Sequence, residues 1–387
     1  MRYRDSIFGQ LLKPIQRQWF ASLVERHGGD AYDKSFFSWN HLVALIYAQL
    51  AGADSLRSLE AVWNANAHHH YHLGAGALTR ATLSDANARR PVAIFAETFT
   101  MLSTQADRVL RQEGAEMVRL VDSSPIPLDA MIEQRAWNGR IKGMKLHVVY
   151  DPGADRPARV DITPANINDI EIGRDVAIEP GATYVFDKGY CSYPWWTRLH
   201  AAGALFVTRK KTNARFRSLN RRALAQATGD GFTVLEDCEV KLASKGDSKL
   251  ALPLRRLRVR REKGGIITLL TNDMERSAVA IATLYKARWQ IELLFRWIKQ
   301  HLNLARFLGR SDNAIRLQIL AAMIAYLLLR LAARESRSKM PAIRFADLAA
   351  AALFVRKPLA RLDKPPDVHP STARPRSSRD QIEFCYD

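Results

Sequence analysis

Residues 285–299 read YKARWQIELLFRWIK, and the rest of the chain is best understood outward from this stretch. An α-helix turns about 100° per residue, so Arg288, Glu292 and Lys299 fall within a sector of roughly 60° from Tyr285. A tyrosine, an arginine, a glutamate and a lysine thus share one stripe. Trp289, Ile291, Leu294, Phe295 and Ile298 make the remainder largely apolar and predict that it packs into the protein. A carboxylate on a rigid helix, set among phosphate-binding groups, suits a metal ion working on a phosphodiester. A surface helix with i,i+4 charge pairs presents the same pattern, so the stripe alone does not decide between the two.

Charge favours the first reading. The 387 residues carry a formal net charge of +19 and a pI of about 10.1. Such a surplus favours a polyanionic partner, nucleic acid ahead of an anionic membrane surface. Hydrophobic content of 47% is that of a globular chain with real cores. Cys191, Cys238 and Cys385 show no paired metal spacing, and their odd number argues against a disulfide framework; a reducing cytoplasm is expected. The N-terminal MRYRDSIFGQLLKPIQRQ is too polar for a signal peptide. The run ILAAMIAYLLL (319–329) is short for a bilayer span and predicts a helix buried in protein, so no membrane partner is expected.

Along the chain, residues 1–113 show apolar positions at helical spacing, as in FGQLLKPIQRQWFASLVERH and WNHLVALIYAQLAG, and predict a helical DNA-binding domain with Ser84 as one N-cap. Residues 114–211 change character. MVRLVD, KLHVVYD, ARVDITP, TYVFDKGY and LFVTRKK read as strands, with helices over DIEIGRDVAI and SYPWWTRLHAAG, a mixed α/β order. Residues 212–275 (FTVLEDCEVKLA, PLRRLRVRRE, GIITLLTND) read as a β-rich insertion. Helical pattern returns over 276–345 and includes the stripe. Residues 346–387 form a C-terminal segment whose Pro-, Ser- and Arg-rich tail predicts disorder.

Two acids are expected at strand ends in apolar settings, where a carboxylate is rigidly aimed: Asp122 after MVRLV and Asp187 after TYVF. If they converge with Glu292, three carboxylates share one cleft and repel, each pair by about 4 kcal/mol at 4 Å and an effective dielectric near 20. Protons or divalent cations must relieve this. Hard oxygen donors favour Mg²⁺ or Mn²⁺ over Zn²⁺, and two such ions can activate an attacking oxygen and stabilise a leaving one. Arg288, Lys299 and the Tyr285 hydroxyl are then phosphate contacts.

The spacing Y-x2-R-x3-E-x6-K at Tyr285, Arg288, Glu292 and Lys299 resembles the signature of DDE transposases of the bacterial insertion-sequence family four. VRLVDSSPI around Asp122 and VFDKGY around Asp187 resemble that family's first and second aspartate segments, and the β-rich stretch before Glu292 matches in position. The resemblance covers about residues 115–335. It implies a ribonuclease H-like mixed-sheet core with Asp122, Asp187 and Glu292 as ligands of two Mg²⁺ ions, for which Mn²⁺ substitutes. It implies cutting at inverted-repeat ends of an insertion sequence and joining to target double-stranded DNA, with a homodimer on DNA. Related enzymes stack a flipped base on a tryptophan of the insertion; this chain has no tryptophan between 205 and 275, leaving Phe216, Phe232 or Trp289 as replacements.

Further candidates are weaker. In RKKTNARFRSLNRR (209–222), Lys210, Lys211 and Arg215 are expected DNA-backbone contacts, as are the cations of RRLRVRR (255–261), Lys142 and Lys145. Asp151, Asp161 and Asp169 are rival acids, Asp169 as a support of the site. His68, His69, His70 and His72 do not point one way on a helix and predict a polar turn rather than a metal site. Trp195 and Trp196 are expected in the core. Two other readings remain: a ribonuclease H-like structure-specific nuclease, and a silent DNA-binding relic.

Overall fold

The computed structural model describes residues 5–126, 143–243, 252–301 and 307–364. Lys142, Cys385 and most of the basic tail lie outside the described residues. A mixed sheet organises the chain, built from β1 (Val118–Ile126), β2 (Met144–Asp151), β3 (Arg156–Pro164), β4 (Thr183–Phe186), β5 (Leu205–Arg209), β6 (Phe216–Arg221), β7 (Thr228–Gly229), β8 (Phe232–Leu242), β9 (Leu254–Arg261) and β10 (Ile266–Thr271). The order is β3-β2-β1-β4-β5-β10-β9-β8-β6, with β7 paired to β8. The strands β3, β2 and β1 are antiparallel neighbours, β1, β4 and β5 run parallel, and β10 returns antiparallel to β5. The strands of residues 212–275 therefore extend the same sheet.

Period-two alternation sorts the side chains onto two faces. Leu120, Val148, Val185, Val207 and Leu269 belong to one core, and Val121, Val149, Phe186, Phe206 and Leu270 to the other. The strand β4 reads TYVF and is buried on both faces, which is why it carries no polar residue pointing to water. On the second face lies the helix Tyr193–Ala201, whose Trp195 and Trp196 are fully buried against Phe186 and Phe206. These tryptophans are core, as their apolar context predicts.

The first face is covered by helices. We number the remaining ones used below α1 (Ile7–Leu12), α2 (Arg17–Arg26), α3 (Ser38–Ala51), α4 (Leu56–Ala65), α5 (His70–Leu73), α6 (Arg80–Arg89) and α7 (Val92–Leu110), with α8 (Asp169–Arg174), α9 (the Trp195 helix), α10 (Ala278–Ala287), α11 (Trp289–His301), α12 (Asp312–Glu335) and α13 (Ala342–Ala351). The run 319–329 lies within α12, whose 24 residues are long enough to cross a bilayer; length therefore does not settle its place. Packing does: Ile319 through Leu329 are buried, with α12 against α3, α6 and α7. The N-cap of α6 is Thr79, which exchanges hydrogen bonds with Thr82, whereas Ser84 lies inside the helix. The predicted helix over 169–178 ends at Arg174.

The histidine run folds as a turn of 3₁₀ helix followed by α5. His70 is buried and stacked on Trp63 with ring centroids 4.1 Å apart, and His69 stacks on Phe354 at 5.0 Å. The run serves packing as much as polarity.

Candidate active site

Parallel pairing of β1 with β4 matches Val121 to Phe186. Asp122 and Asp187 are the next residues on each strand, and side chains at one register position share a face. Two neighbouring strands lie about 4.8 Å apart, so the two carboxyls emerge side by side. One expectation needs correcting: Asp122 is not at a strand end, because β1 continues to Ile126 through its pairing with β2. What ends beside Asp122 is β4, and the gap this leaves opens the site.

The stripe arrives over this gap on α10 and α11. It is not one unbroken helix. Arg288 stands between the two, and the ladder tightens there: Arg288 N–H donates to Tyr285 O and Ile291 N–H to Arg288 O, both three residues back. Three of the stripe residues still reach Asp122, Ser124 or Asp187, and Glu292 is joined to them through Arg288. The Tyr285 hydroxyl donates to Asp187 Oδ1 at 3.2 Å. Arg288 donates from Nη1 to Asp122 Oδ2 at 2.6 Å and from Nη2 to Glu292 Oε1 at 2.5 Å. Lys299 Nζ donates to Ser124 Oγ at 2.7 Å, two residues along β1 from Asp122 and so on the same face.

Burial pushes the Asp122 carboxyl up to about 6; Arg288 and the Ser123 N–H oppose this, while the Asp187 and Glu292 charges add to it. Asp122 thus feels both other carboxylates. Burial also pulls the Lys299 ammonium down and pushes the Tyr285 hydroxyl up, the latter helped by the charge of Asp187.

A family model described as the transposase DDE domain matches residues 113–328, more than half of the chain. The chain belongs to this family. A domain of unknown function matches residues 3–76. A Sinorhizobium fredii chain, provisionally named transposase y4zB, is 60% identical over 304 residues, 79% of this chain and 85% of that one. A Geobacillus stearothermophilus chain, named for insertion sequence element IS5377, is 29% identical over 252 residues, 64% of this chain and 66% of its own length. A solved structure of a piggyBac transposase synaptic complex with hairpin DNA aligns at 9% identity and a TM-score of 0.44, covering 94% of this chain and 81% of that one.

DDE transposase domains use divalent cations, so the donors of this transposase can be tested against one. Three carboxylates within mutual electrostatic reach are hard ligands of the right kind. They do not form a ready cage: among the described residues no group of three His, Cys, Asp or Glu is disposed to hold an ion, and Arg288 lies between two of the acids. The oxygens are of the kind a divalent cation takes, and Arg288 holds one oxygen of Asp122 and one of Glu292.

Other candidates divide. Lys211 is exposed and lines an open groove of about 590 Å³ with Asp187, Lys188 and Asn213. Arg215 is exposed, and Lys210 is half-buried with Nζ on Lys211 O. Of the RRLRVRR run, Arg255 is not a DNA contact but is buried in a bidentate pair with Asp237, and Arg256 is paired with Glu236. Lys145 is likewise used internally, on Asp169 Oδ1 at 3.0 Å. Asp169 also accepts from Ser123 Oγ at 2.8 Å, placing it behind Asp122 on the opposite sheet face. Asp151 is fully buried between Arg111 and Arg119, and Asp161 pairs with Arg159. Arg209, 3.9 Å from Asp187, and Ser124 escape sequence reasoning, Arg209 because it reads as the start of a basic run.

Of the tryptophan replacements, Phe232 is buried and Phe216 half-buried, while Trp289 is 50% exposed. Phe232 and Trp289 line a cavity of about 320 Å³ that also takes in Arg209, Tyr285 and Arg288.

Proposed function

We propose that this transposase cuts DNA at the ends of an insertion sequence and joins the freed 3′ ends to target DNA, by a two-metal, cut-and-paste mechanism with Asp122, Asp187 and Glu292 as the ligands. The observation that carries the reading is the register of β1 and β4, which brings Asp122 beside Asp187, with Arg288 joining Asp122 to Glu292. The order β3-β2-β1-β4-β5, antiparallel then parallel, supports a ribonuclease H-like core. Mg²⁺ is the ion that this donor set suits, and bound ions supply a deprotonated attacking oxygen and stabilise the leaving one.

The chain's own residues position the DNA. Arg288 offers a planar fork that matches a phosphate. Lys299, held on Ser124, and the Tyr285 hydroxyl border the same strand end. Lys211 and Arg215 carry the duplex away along the open groove beside Asp187, and Lys210 backs them. Trp289 is the exposed aromatic closest in sequence to these groups and the best placed of the three candidates to stack on a displaced base. Residues 1–113 add a second DNA contact, and two copies act together because two element ends must be joined.

The test is Mg²⁺-dependent cleavage of a duplex carrying the inverted repeats that flank the coding sequence, with wild type beside Glu292→Ala. Cleavage by wild type alone, with equal DNA binding by both proteins, is expected. Equal cleavage by both refutes the assignment of the site.

A further inference from the structure

Two of the arginines held by acids, Arg255 and Arg288, are built differently. Arg255 donates Nε and Nη2 to the two oxygens of Asp237, at 2.7 and 2.5 Å, and Nη1 to Arg276 O at 2.7 Å and to Asp273 O at 3.3 Å. Both partners are 2% exposed, and each of the guanidinium's nitrogens has an acceptor. This is a finished structural pair.

Arg288 is not finished in this sense. Its fork is split between two carboxylates on different elements, Asp122 on β1 and Glu292 on α11. Its Nε is buried with no hydrogen-bond partner, although a guanidinium settled in a permanent place ordinarily has its donors satisfied. It stands at the tightened turn between α10 and α11, and such a stretch inside a helix often marks a hinge. It stands between Asp122 and Glu292, donating to one oxygen of each. A divalent cation drawing on the same two carboxylates meets the guanidinium's positive charge and finds those two oxygens already taken.

We propose that Arg288 is a latch that closes Asp122 and Glu292 to divalent cations in the free protein and must release them before an ion binds. The inference rests on the reading of these acids as metal ligands. Release needs another anion for the fork, and a DNA phosphate accepts it bidentately. Metal loading then follows DNA loading, and the DNA-free protein does not carry a primed nuclease site.

The experiment is Mn²⁺ binding to the DNA-free, full-length chain, followed by electron paramagnetic resonance, for wild type, Arg288→Gln, Arg288→Lys and each combined with Glu292→Gln. Arg288→Gln is expected to tighten Mn²⁺ binding about tenfold or more, within the range usual for coupled sites. Arg288→Lys keeps the charge but loses the fork, so it is expected to tighten binding as well, by less. Glu292→Gln is expected to abolish the gain in both. If Arg288→Lys binds no more tightly than wild type, charge alone explains the glutamine variant and the latch is overturned. If Arg288→Gln binds no more tightly while Glu292→Gln still removes binding, the ligand assignment stands and the latch falls. If Glu292→Gln changes nothing in any background, the ligand assignment itself is wrong and the latch falls with it.

Discussion

Asp122→Asn should make the metal-free protein more stable. The Asp122 side chain is 18% exposed, and its carboxyl is pushed from 3.8 up to about 6, chiefly because burial strips water from the charge. A displacement of that size corresponds to about 3 kcal/mol at pH 7, with the ionised form destabilising the fold. The sign follows from proton uptake. Between about pH 4 and 6 the folded protein holds a proton that the unfolded chain has lost, so this group's contribution falls as pH rises and is fully unfavourable above 6. Asparagine has no such charge. In EDTA at pH 7.5, urea denaturation is expected to show Asp122→Asn more stable than wild type by up to about 3 kcal/mol, with the gap closing by about pH 4. In an Arg288→Gln background, where the proposed latch is open, saturating Mg²⁺ should work the other way: a cation bound only by the folded state adds about 2.7 kcal/mol at a hundredfold excess over Kd, and Asp122→Asn would remove a proposed ligand, so the order of stabilities should close or invert there. An Asp122→Asn protein that is less stable than wild type in EDTA, or a difference that ignores pH, refutes the reasoning. The carboxylate would then be a satisfied structural group rather than one kept at a cost for its chemistry.

Other expectations follow from the same structure. Trp195→Ala removes a fully buried ring from the second core and should cost about 3–5 kcal/mol in the same denaturation assay, without any specific loss of DNA affinity in the fraction that remains folded. His41 is buried, donates from Nε2 to Asn87 Oδ1 at 2.8 Å, and is pulled by burial from 6.5 to about 3. Since the unfolded chain takes up that proton below pH 6.5, stability should fall by about 2 kcal/mol from this group between pH 7 and 5, and His41→Gln should flatten that slope. Lys211→Ala and Arg215→Ala should each weaken DNA binding evenly across sequences and lower the slope of log affinity against log salt by about one, measured by fluorescence anisotropy. A slope unchanged by either substitution removes that residue from the interface.

The parts of the fold that sequence reveals are those in which local pattern and chemistry coincide. TYVF can hardly be anything but a doubly buried strand, and the offsets from Tyr285 to Lys299 are short enough that the ladder's tightening at Arg288 does not scatter them. What the sequence conceals depends on pairings between distant segments. MVRLVD looks like a strand ending at its acid because the apolar run stops there, yet Asp122 through Ile126 stay in the sheet by pairing with β2 across an intervening segment. The segment 212–275 looks like an insertion because its rhythm changes, but β10 returns to pair with β5, and nothing local to GIITLLTND states that partner.

The same distinction explains which charges could be read. A basic run has two fates, a solvated face or internal pairing, and local sequence does not separate them. RRLRVRR includes Arg255, whose partner Asp237 sits 18 residues away on the neighbouring strand; only the register of β8 with β9 brings them together. Arg288 shows the limit within the site itself. Its pairing with Glu292 is an i,i+4 contact visible in the spacing, but its second carboxylate, Asp122, lies 166 residues away. From the stripe alone, Arg288 is a phosphate contact. Set between the two acids, on the proposed reading it also competes with the cations those acids would bind. One side chain can have both roles because a guanidinium pairs equally well with a carboxylate and with a phosphate. Under the proposed latch, which of the two it meets is decided by whether DNA is present, and that choice is not written in any local spacing.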